Sequence, residues 1–186
     1  VDAGNPAAFI LAKDVGLTGT ELPETFDRDS RIRTKLEAIR ARVGEMIGYP
    51  GNPSMPKVVF VAPPKDYETA TKKKVEGQDI DFIARTMAMG VMHKTFPITA
   101  SIPAALAALL PGSTVEEIIR DRRRDEAKIV IGHPMGLLDV KAKIEMREGK
   151  WHAVSCAVGR TARKIMAGRV YVPEKVYSVM SWEGIG

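Results

Sequence analysis

Three stretches of this 186-residue chain carry groups that can hold an anion. The first is Gly4-Asn5-Pro6, a turn after a short apolar start. The Asn5 amide there can donate to a carboxylate, and Pro6 fixes the φ angle that follows. The second runs from Met89-Gly90 through His93-Lys94 to Thr99-Ala100-Ser101. Ile98 to Leu110 is almost wholly apolar and Ala-rich, so it reads as a helix buried on all sides. Pro97 precedes it and Pro111-Gly112 stops it. The start of such a helix presents unpaired N–H groups at the positive end of its dipole, where carboxylate or phosphate binds without a cationic side chain. The Thr99 and Ser101 hydroxyls either add donors or simply cap the helix. Lys94 can hold a second carboxylate and His93 can donate to one, although a lone His serves structure equally well. The third stretch is Gly132-His133-Pro134-Met135-Gly136, whose glycines permit close backbone approach or mark a turn at the strand.

No catalytic assembly accompanies these groups. Cys156 has no neighbouring His to lower its pKa and reads as a structural thiol. His152 falls mid-hairpin and reads as structural too. The three His lack metal-ligand spacing, and there is no phosphate-binding loop or dinucleotide fingerprint, so no metal or cofactor is expected. The net charge of +5 rests partly on Lys72-Lys73-Lys74 and Arg122-Arg123-Arg124. Both clusters lie in polar stretches without interleaved aromatics, which argues for solvated loops over nucleic-acid binding. A modest positive field would also gather a polycarboxylate. A single cysteine excludes an internal disulfide and suits a reducing cytoplasm. No apolar run reaches the roughly 20 residues a membrane helix needs.

Several elements must position these residues. Phe9 to Ala12 reads as a short buried strand. Asp29 or Ser30 caps a helix whose apolar residues Ile32, Leu36, Ile39, Val43 and Ile47 form one stripe. Tyr49 to Pro53 ends it, and Lys57 to Ala62 is an apolar strand closed by Pro63-Pro64. A polar loop runs from Lys65 to about Gly77, and Asp79 to Ala84 alternates as a strand. Lys128 to Ile131 leads into the His133 turn, and Glu148-Gly149 joins two alternating strands as a hairpin. Arg160 to Ala167 reads as a short helix stopped by Gly168, with a last strand at Val170 to Pro173. The expected class is α+β: a mixed sheet, curved by its glycines, wrapped round a central buried helix.

Taken in order, several motifs resemble the C-terminal half of the 2-methylaconitate cis–trans isomerase (PrpF) family. Its relatives include 3-methylitaconate Δ-isomerase and 4-oxalomesaconate tautomerase. The matching residues are Val1-Asp2-Ala3-Gly4-Asn5-Pro6, Gly16 to Leu22, Phe60 to Lys65, Met89 to Lys94, Pro111-Gly112-Ser113, Gly132 to Gly136 and Arg160 to Gly168. The resemblance implies a diaminopimelate-epimerase-like lobe over residues 1–186, with the family's N-terminal lobe absent and the active site in the cleft between the two. By it, Asn5 matches a carboxylate-binding Asn, and Thr99, Ala100 and Ser101 fall at an anion cradle. Met89, Gly90, His93, Lys94, His133 and Met135 are further expected substrate-binding residues. Ile98 stands where an epimerase has its second catalytic Cys, which disfavours a two-cysteine racemase. Met135 departs from the family's usual Ser in that turn.

The implied reaction is cofactor-free proton transfer on an unsaturated di- or tricarboxylate, with the catalytic Lys and its Cys or Ser partner in the other half. The chain opens on the Asn5 motif without an initiator Met, and we expect it to be one part of something larger, inactive alone. Expected partners are the carboxylate substrate and the chain's own N-terminal lobe or a partner subunit, with a homodimer through the exposed interlobe surface as a further expectation. A non-catalytic carboxylate-binding module with the same lobe is the alternative.

Overall fold

The computed structural model of the chain describes residues 1–120, 128–159 and 162–173. Its main sheet has seven strands. β1 (Ala7–Leu11), β2 (Lys57–Ala62), β5 (Phe82–Ala88), β7 (Lys128–His133), β8 (Gly136–Arg147) and β9 (Lys150–Val158) follow one another across it, and β6 (Val91–Met92) pairs with β5. The pairs β1·β2 and β5·β7 are parallel, and the other pairs are antiparallel. A separate two-stranded ribbon, β3 (Tyr67–Glu68) and β4 (Lys74–Val75), occupies the expected polar loop.

The sheet curls because its two edge strands, β1 and β9, both touch α3 (Ile98–Leu109). Ala100, Ala104, Ala105, Ala107 and Ala108 are wholly buried along that helix, and their small side chains let the strands close in from several directions. The expected central helix is therefore present. Strand alternation divides β2 between two cores. Val59 and Val61 face α3 with Phe82, Ile129 and Ile131. Val58 and Phe60 face the opposite layer, built on α2 (Ser30–Met46) and α1 (Pro23–Phe26), where the Phe26 and Phe60 rings stack 5.6 Å apart.

Asp29 caps α2 as expected, its Oδ1 accepting from the Arg31 and Ile32 amides at 3.0 and 3.1 Å. The buried line on α2 differs from the expected stripe: it is Ile32, Leu36, Arg40 and Gly44, with Ile47 exposed. Arg40 is buried because its guanidinium meets Glu37 and the carbonyls of Asn52 and Met55. Gly44 lies so close to the next loop that a Cβ would sit 2.9 Å from the Tyr49 carbonyl oxygen.

Three further expectations need correction. Of the expected strand at Asp79 to Ala84 only Phe82 to Ala84 is strand; a 3-10 turn spans Gly77–Asp79 and β5 begins at Phe82. Asp81 ends the turn by bonding Val130 through both its amide (2.8 Å) and its carboxylate (2.6 Å). A short helix, α4 (Thr114–Ile119), was not anticipated; Ser113 caps it, accepting from the Glu116 amide at 3.1 Å. Of the expected helix at 160–167 and strand at 170–173, residues 160 and 161 lie outside the described residues, and 162–173 form neither element. Ile165, Met166, Val170 and Tyr171 are 80–95% exposed there, so no packing supports a helix too short to hold itself together. The β8–β9 hairpin stands as expected, turning through Glu148 (φ 49°) and Gly149 (φ 75°).

Lys72 and Lys74 are exposed and paired to Glu68 and Asp66, as solvated loop residues are. The Arg122–Arg124 cluster lies outside the described residues. No described helix is long and apolar enough to cross a membrane.

Candidate functional site

β2 begins where β5 ends, since Val58 pairs with Met87. That sheet end gathers Asn5, Lys57, the Met89-Gly90 turn, His93 and the start of α3. Asn5 is half-buried in a closed loop: the Val1 and Ala7 backbones bond each other, and the Lys57 amide donates to the Pro6 carbonyl at 3.0 Å. Met89 and Gly90 both have positive φ (51° and 76°), and Met89 is 68% exposed. The Gly90 carbonyl accepts from Arg33 on α2 at 3.4 Å, so this turn leans towards the outer layer. The His93 amide donates to the Thr86 carbonyl at 2.9 Å. Burial lowers the His93 pKa, and the nearby Lys57 charge lowers it further. Lys94 is exposed and carries no ion pair among the described residues.

α3 starts after Pro97, which has no N–H, and no side chain caps it. The Ala100 and Ser101 amides both donate to the Pro97 carbonyl at 2.9 Å, and the Ser101 hydroxyl donates to the Ile98 carbonyl at 2.9 Å. Ala100 and Ser101 are wholly buried. The open donors thus lie one residue earlier than expected: the amides of Ile98 and Thr99 have no partner among the described residues. Thr99 is exposed, and its hydroxyl oxygen accepts from Lys57 Nζ. Burial lowers the Lys57 pKa, and no carboxylate opposes that shift.

His133 ends β7 and is held differently. By alternation it shares the α3-facing side with Ile129 and Ile131. Its Nδ1 accepts from the Met135 amide at 3.2 Å. Burial pushes its pKa down to about 4; the Leu137 backbone opposes that shift and the Arg85 charge adds to it. At neutral pH His133 is therefore an uncharged hydrogen-bonding group. The Tyr67 hydroxyl lies 2.9 Å from the carbonyls of both His133 and Gly136, and the Ala70 amide holds the Pro134 carbonyl at 2.8 Å. Met135, 40% exposed, projects from this pinned turn.

Beneath it lies Arg85, wholly buried on β5. Its guanidinium donates to the carbonyls of Glu21 (2.8 Å), Ala84 (2.9 Å) and Gly132 (3.3 Å) and lies 5.1 Å over the Tyr67 ring. Burial pulls its pKa down to about 10. No hydrogen bond among the described residues joins the His133 turn to the α3 start, so the expected residues form two groups. Cys156 is half-buried, with its thiol pKa raised by burial, which agrees with an unreactive thiol. His152 is exposed on β9, opposite Glu145. A cavity of about 770 Å³ opens at the far end of the sheet, lined by Lys65, Asp66, Asp79, Asp81 and Lys128, and none of the expected residues faces it.

Sequence reasoning passed over Lys57, Tyr67 and Arg85. The signal for Lys57 was a cation in strand register with Val59 and Val61; for Arg85 it was a charge inside an apolar run.

The family described as PrpF protein matches residues 1–173. The chain belongs to the PrpF family. A 3-methylitaconate isomerase from Eubacterium barkeri is 38% identical over 181 residues, which cover 92% of this chain and 46% of the relative. A 2-methyl-aconitate isomerase from Shewanella oneidensis is 34% identical over 181 residues, covering 94% of this chain and 45% of the relative. The crystal structure of a methylitaconate-delta-isomerase matches with a TM-score of 0.81 at 36% identity, over 100% of this chain and 49% of that one. The curled α+β fold is thus that of a PrpF lobe, diaminopimelate-epimerase-like. These PrpF relatives are isomerases of unsaturated carboxylates. The chain spans about half the length of the curated relatives it matches.

Proposed function

We propose that this PrpF chain is the carboxylate-binding C-terminal lobe of a two-domain isomerase acting on an unsaturated di- or tricarboxylate such as 2-methylaconitate. The observation that carries this reading is the open end of α3: two amides without a partner among the described residues, beside Thr99, Lys57 and His93, at the sheet end where the Asn5 loop joins Lys57, in a chain whose relatives isomerise such acids. The reaction is cofactor-free. A base removes the acidic proton from the carbon allylic to the C=C bond, and the electron pair spreads into a dienolate. N–H donors stabilise the developing charge, and a proton returns at another carbon.

The base and its partner come from the N-terminal lobe or a partner subunit, across a cleft onto which this lobe's donors open. The exposed apolar segment 162–173, matched to the family throughout, supports a second body that covers it. The assembled enzyme works in the cytoplasm, without nucleic acid or membrane. A homodimer through the same surface is compatible with this reading. A non-catalytic carboxylate-binding module is the second reading, favoured by Met135 in place of the family's usual Ser.

The test is proton NMR of cis- and trans-2-methylaconitate in deuterated buffer, with the chain alone and joined to its upstream coding sequence. Turnover with deuterium incorporation only in the longer protein is expected. Binding without turnover in both would favour the second reading or a different unsaturated acid as substrate, and turnover by the chain alone would refute the half-site.

A further inference from the structure

The hairpin that carries Met89 and leads into His93 is held from outside the sheet. β6 is two residues long and, among the described strands, pairs with β5 alone. The two are joined through Met89 and Gly90, both at positive φ (51° and 76°). A mirror-image turn of this kind favours Asn or Gly at its first position. Here that position is a Met whose side chain is 68% exposed rather than packed. Such backbone strain persists only where the surroundings fix it.

Two residues of the outer layer do so. In an antiparallel pair, alternate N–H groups point away from the partner strand. The His93 amide faces β5 and donates to Thr86, so the Met92 amide before it faces outward. Met92 is 3% exposed, and without a partner its amide would be a buried, unpaired donor. Asp27, 65 residues earlier, supplies that partner: its Oδ1 accepts from the Met92 amide at 2.9 Å. Asp27 follows the last turn of α1, where a carboxylate opposes the local dipole, so α1 itself gives no reason for an acid there. The Met92 side chain joins the same outer core as Phe26 of α1, and Arg33 on α2 donates to the Gly90 carbonyl at 3.4 Å. From Met92 the chain runs directly into His93, which lies close enough to Lys57 to feel its charge.

Resting on the functional reading above, we propose that Asp27 is a positioning residue of the isomerase: by holding the Met92 amide it sets the β5–β6 hairpin, and with it Met89 and His93, at the end of the sheet where α3 starts. Asp27 acts through the hairpin and not by touching substrate.

The test compares Asp27→Ala, which removes the acceptor, with Asp27→Asn, which keeps an oxygen for the amide and drops only the charge. His93 is titrated by proton NMR in the chain itself. The kinetic constants kcat and KM for 2-methylaconitate are measured in the chain joined to its upstream coding sequence. In Asp27→Ala the hairpin leaves its place, so the His93 pKa should rise from its lowered value towards the ordinary 6.5, and kcat/KM should fall about 10- to 100-fold. Loss of the Asp27 charge alone would move that pKa the other way. Asp27→Asn should keep the lowered His93 pKa and stay within a few fold of wild type in kcat/KM. Gly44→Ala, which crowds the Tyr49 carbonyl, is the control for a general loss of stability and should move neither readout. Amide dispersion checks that each variant is folded. A wild-type His93 pKa in Asp27→Ala overturns the proposal, whatever happens to turnover. Equal losses in Asp27→Ala and Asp27→Asn overturn it too, because they trace to the charge and not to the held amide. No turnover by the wild-type longer protein counts against 2-methylaconitate as the substrate and not against Asp27, whose hold on the hairpin the His93 titration then decides alone.

Discussion

Acidification should destabilise this protein through His133 in a definite pH window. The unfolded imidazole titrates near 6.5, whereas burial holds the folded one at about 4. Between those values the unfolded state binds a proton that the native state refuses, so stability falls as pH drops from about 6.5 through 4. The group's contribution is fully present above the unfolded value and lost below the folded one. One pKa unit corresponds to about 1.4 kcal/mol, so a shift of this size sets an upper bound on the order of 3 kcal/mol. Partial contact with solvent screens the site, and we expect about 2 kcal/mol. Protonation also destroys an acceptor, because Nδ1 takes the Met135 amide hydrogen.

The assay is urea unfolding of wild type and His133→Asn at pH 7.5, 6.5, 5.5 and 4.5. An asparagine oxygen can receive the same amide bond but does not titrate. Carboxylates and His93 titrate in both proteins and cancel in the difference. The stability gap between the two should close, or reverse, by about 2 kcal/mol towards pH 4.5. A gap that stays flat across the series, or an NMR titration placing His133 above pH 6, refutes the argument.

Two substitutions probe the scaffold under that turn. Arg85→Met should cost about 2 kcal/mol in urea: lost charge-assisted bonds to three carbonyls outweigh relief from burying the guanidinium. Equal or greater stability would mean the buried charge costs more than its bonds return. Gly132→Ala places a Cβ 2.9 Å from Ile80 Cδ1 and 3.0 Å from the Tyr67 hydroxyl. Tyr67 is pinned by its own bonds, so overpacking should cost about 1–3 kcal/mol in a thermal melt, and an unchanged midpoint would show that the ring moves.

Local chemistry was legible wherever sequence neighbours decide it. An all-apolar run between Pro97 and Pro111 can only be a buried helix, and Glu148-Gly149 between alternating strands can only turn them. α4 carried a readable sign as well, Ser113 followed three residues later by Glu116, whose carboxylate returns to the Gly112 amide. β5 was misplaced because a strand buried on both faces shows no alternation, while Asp79 and Asp81 mimic one in a turn. The segment 162–173 has strand and helix patterning, but its Ile165, Met166, Val170 and Tyr171 are 80–95% exposed among the described residues. Asn5, His93 and Thr99 were visible as residue types. That Ala100 and Ser101 turn inward, and that Lys57 reaches Thr99 across 42 residues, follows only once the sheet has curled round α3.

The protonation states at this lobe's polar groups bear on the proposed division of the reaction between two halves. His133, with a folded pKa of about 4, is neutral at physiological pH, and the His93 pKa is lowered as well. Neither is a cation that would give up a proton on contact with a carbanion. The α3 amides are permanent dipoles that stabilise charge without titrating. Lys57, though its pKa is lowered, is the cation at this end of the sheet that touches the helix. A surface so composed can hold carboxylates and stabilise a spreading negative charge while competing little for the migrating proton. A base with a pKa near the working pH placed among these donors would be drawn towards its deprotonated form by the same field, and its proton-accepting strength would fall. The proposed separation of donors from base across a cleft removes that conflict, and it predicts that introducing a carboxylate here, as in Thr99→Glu, abolishes binding of tricarballylate, a saturated tricarboxylate, by satisfying Lys57 and the helix from within. Retained binding in Thr99→Glu would show that the substrate's carboxylates sit elsewhere.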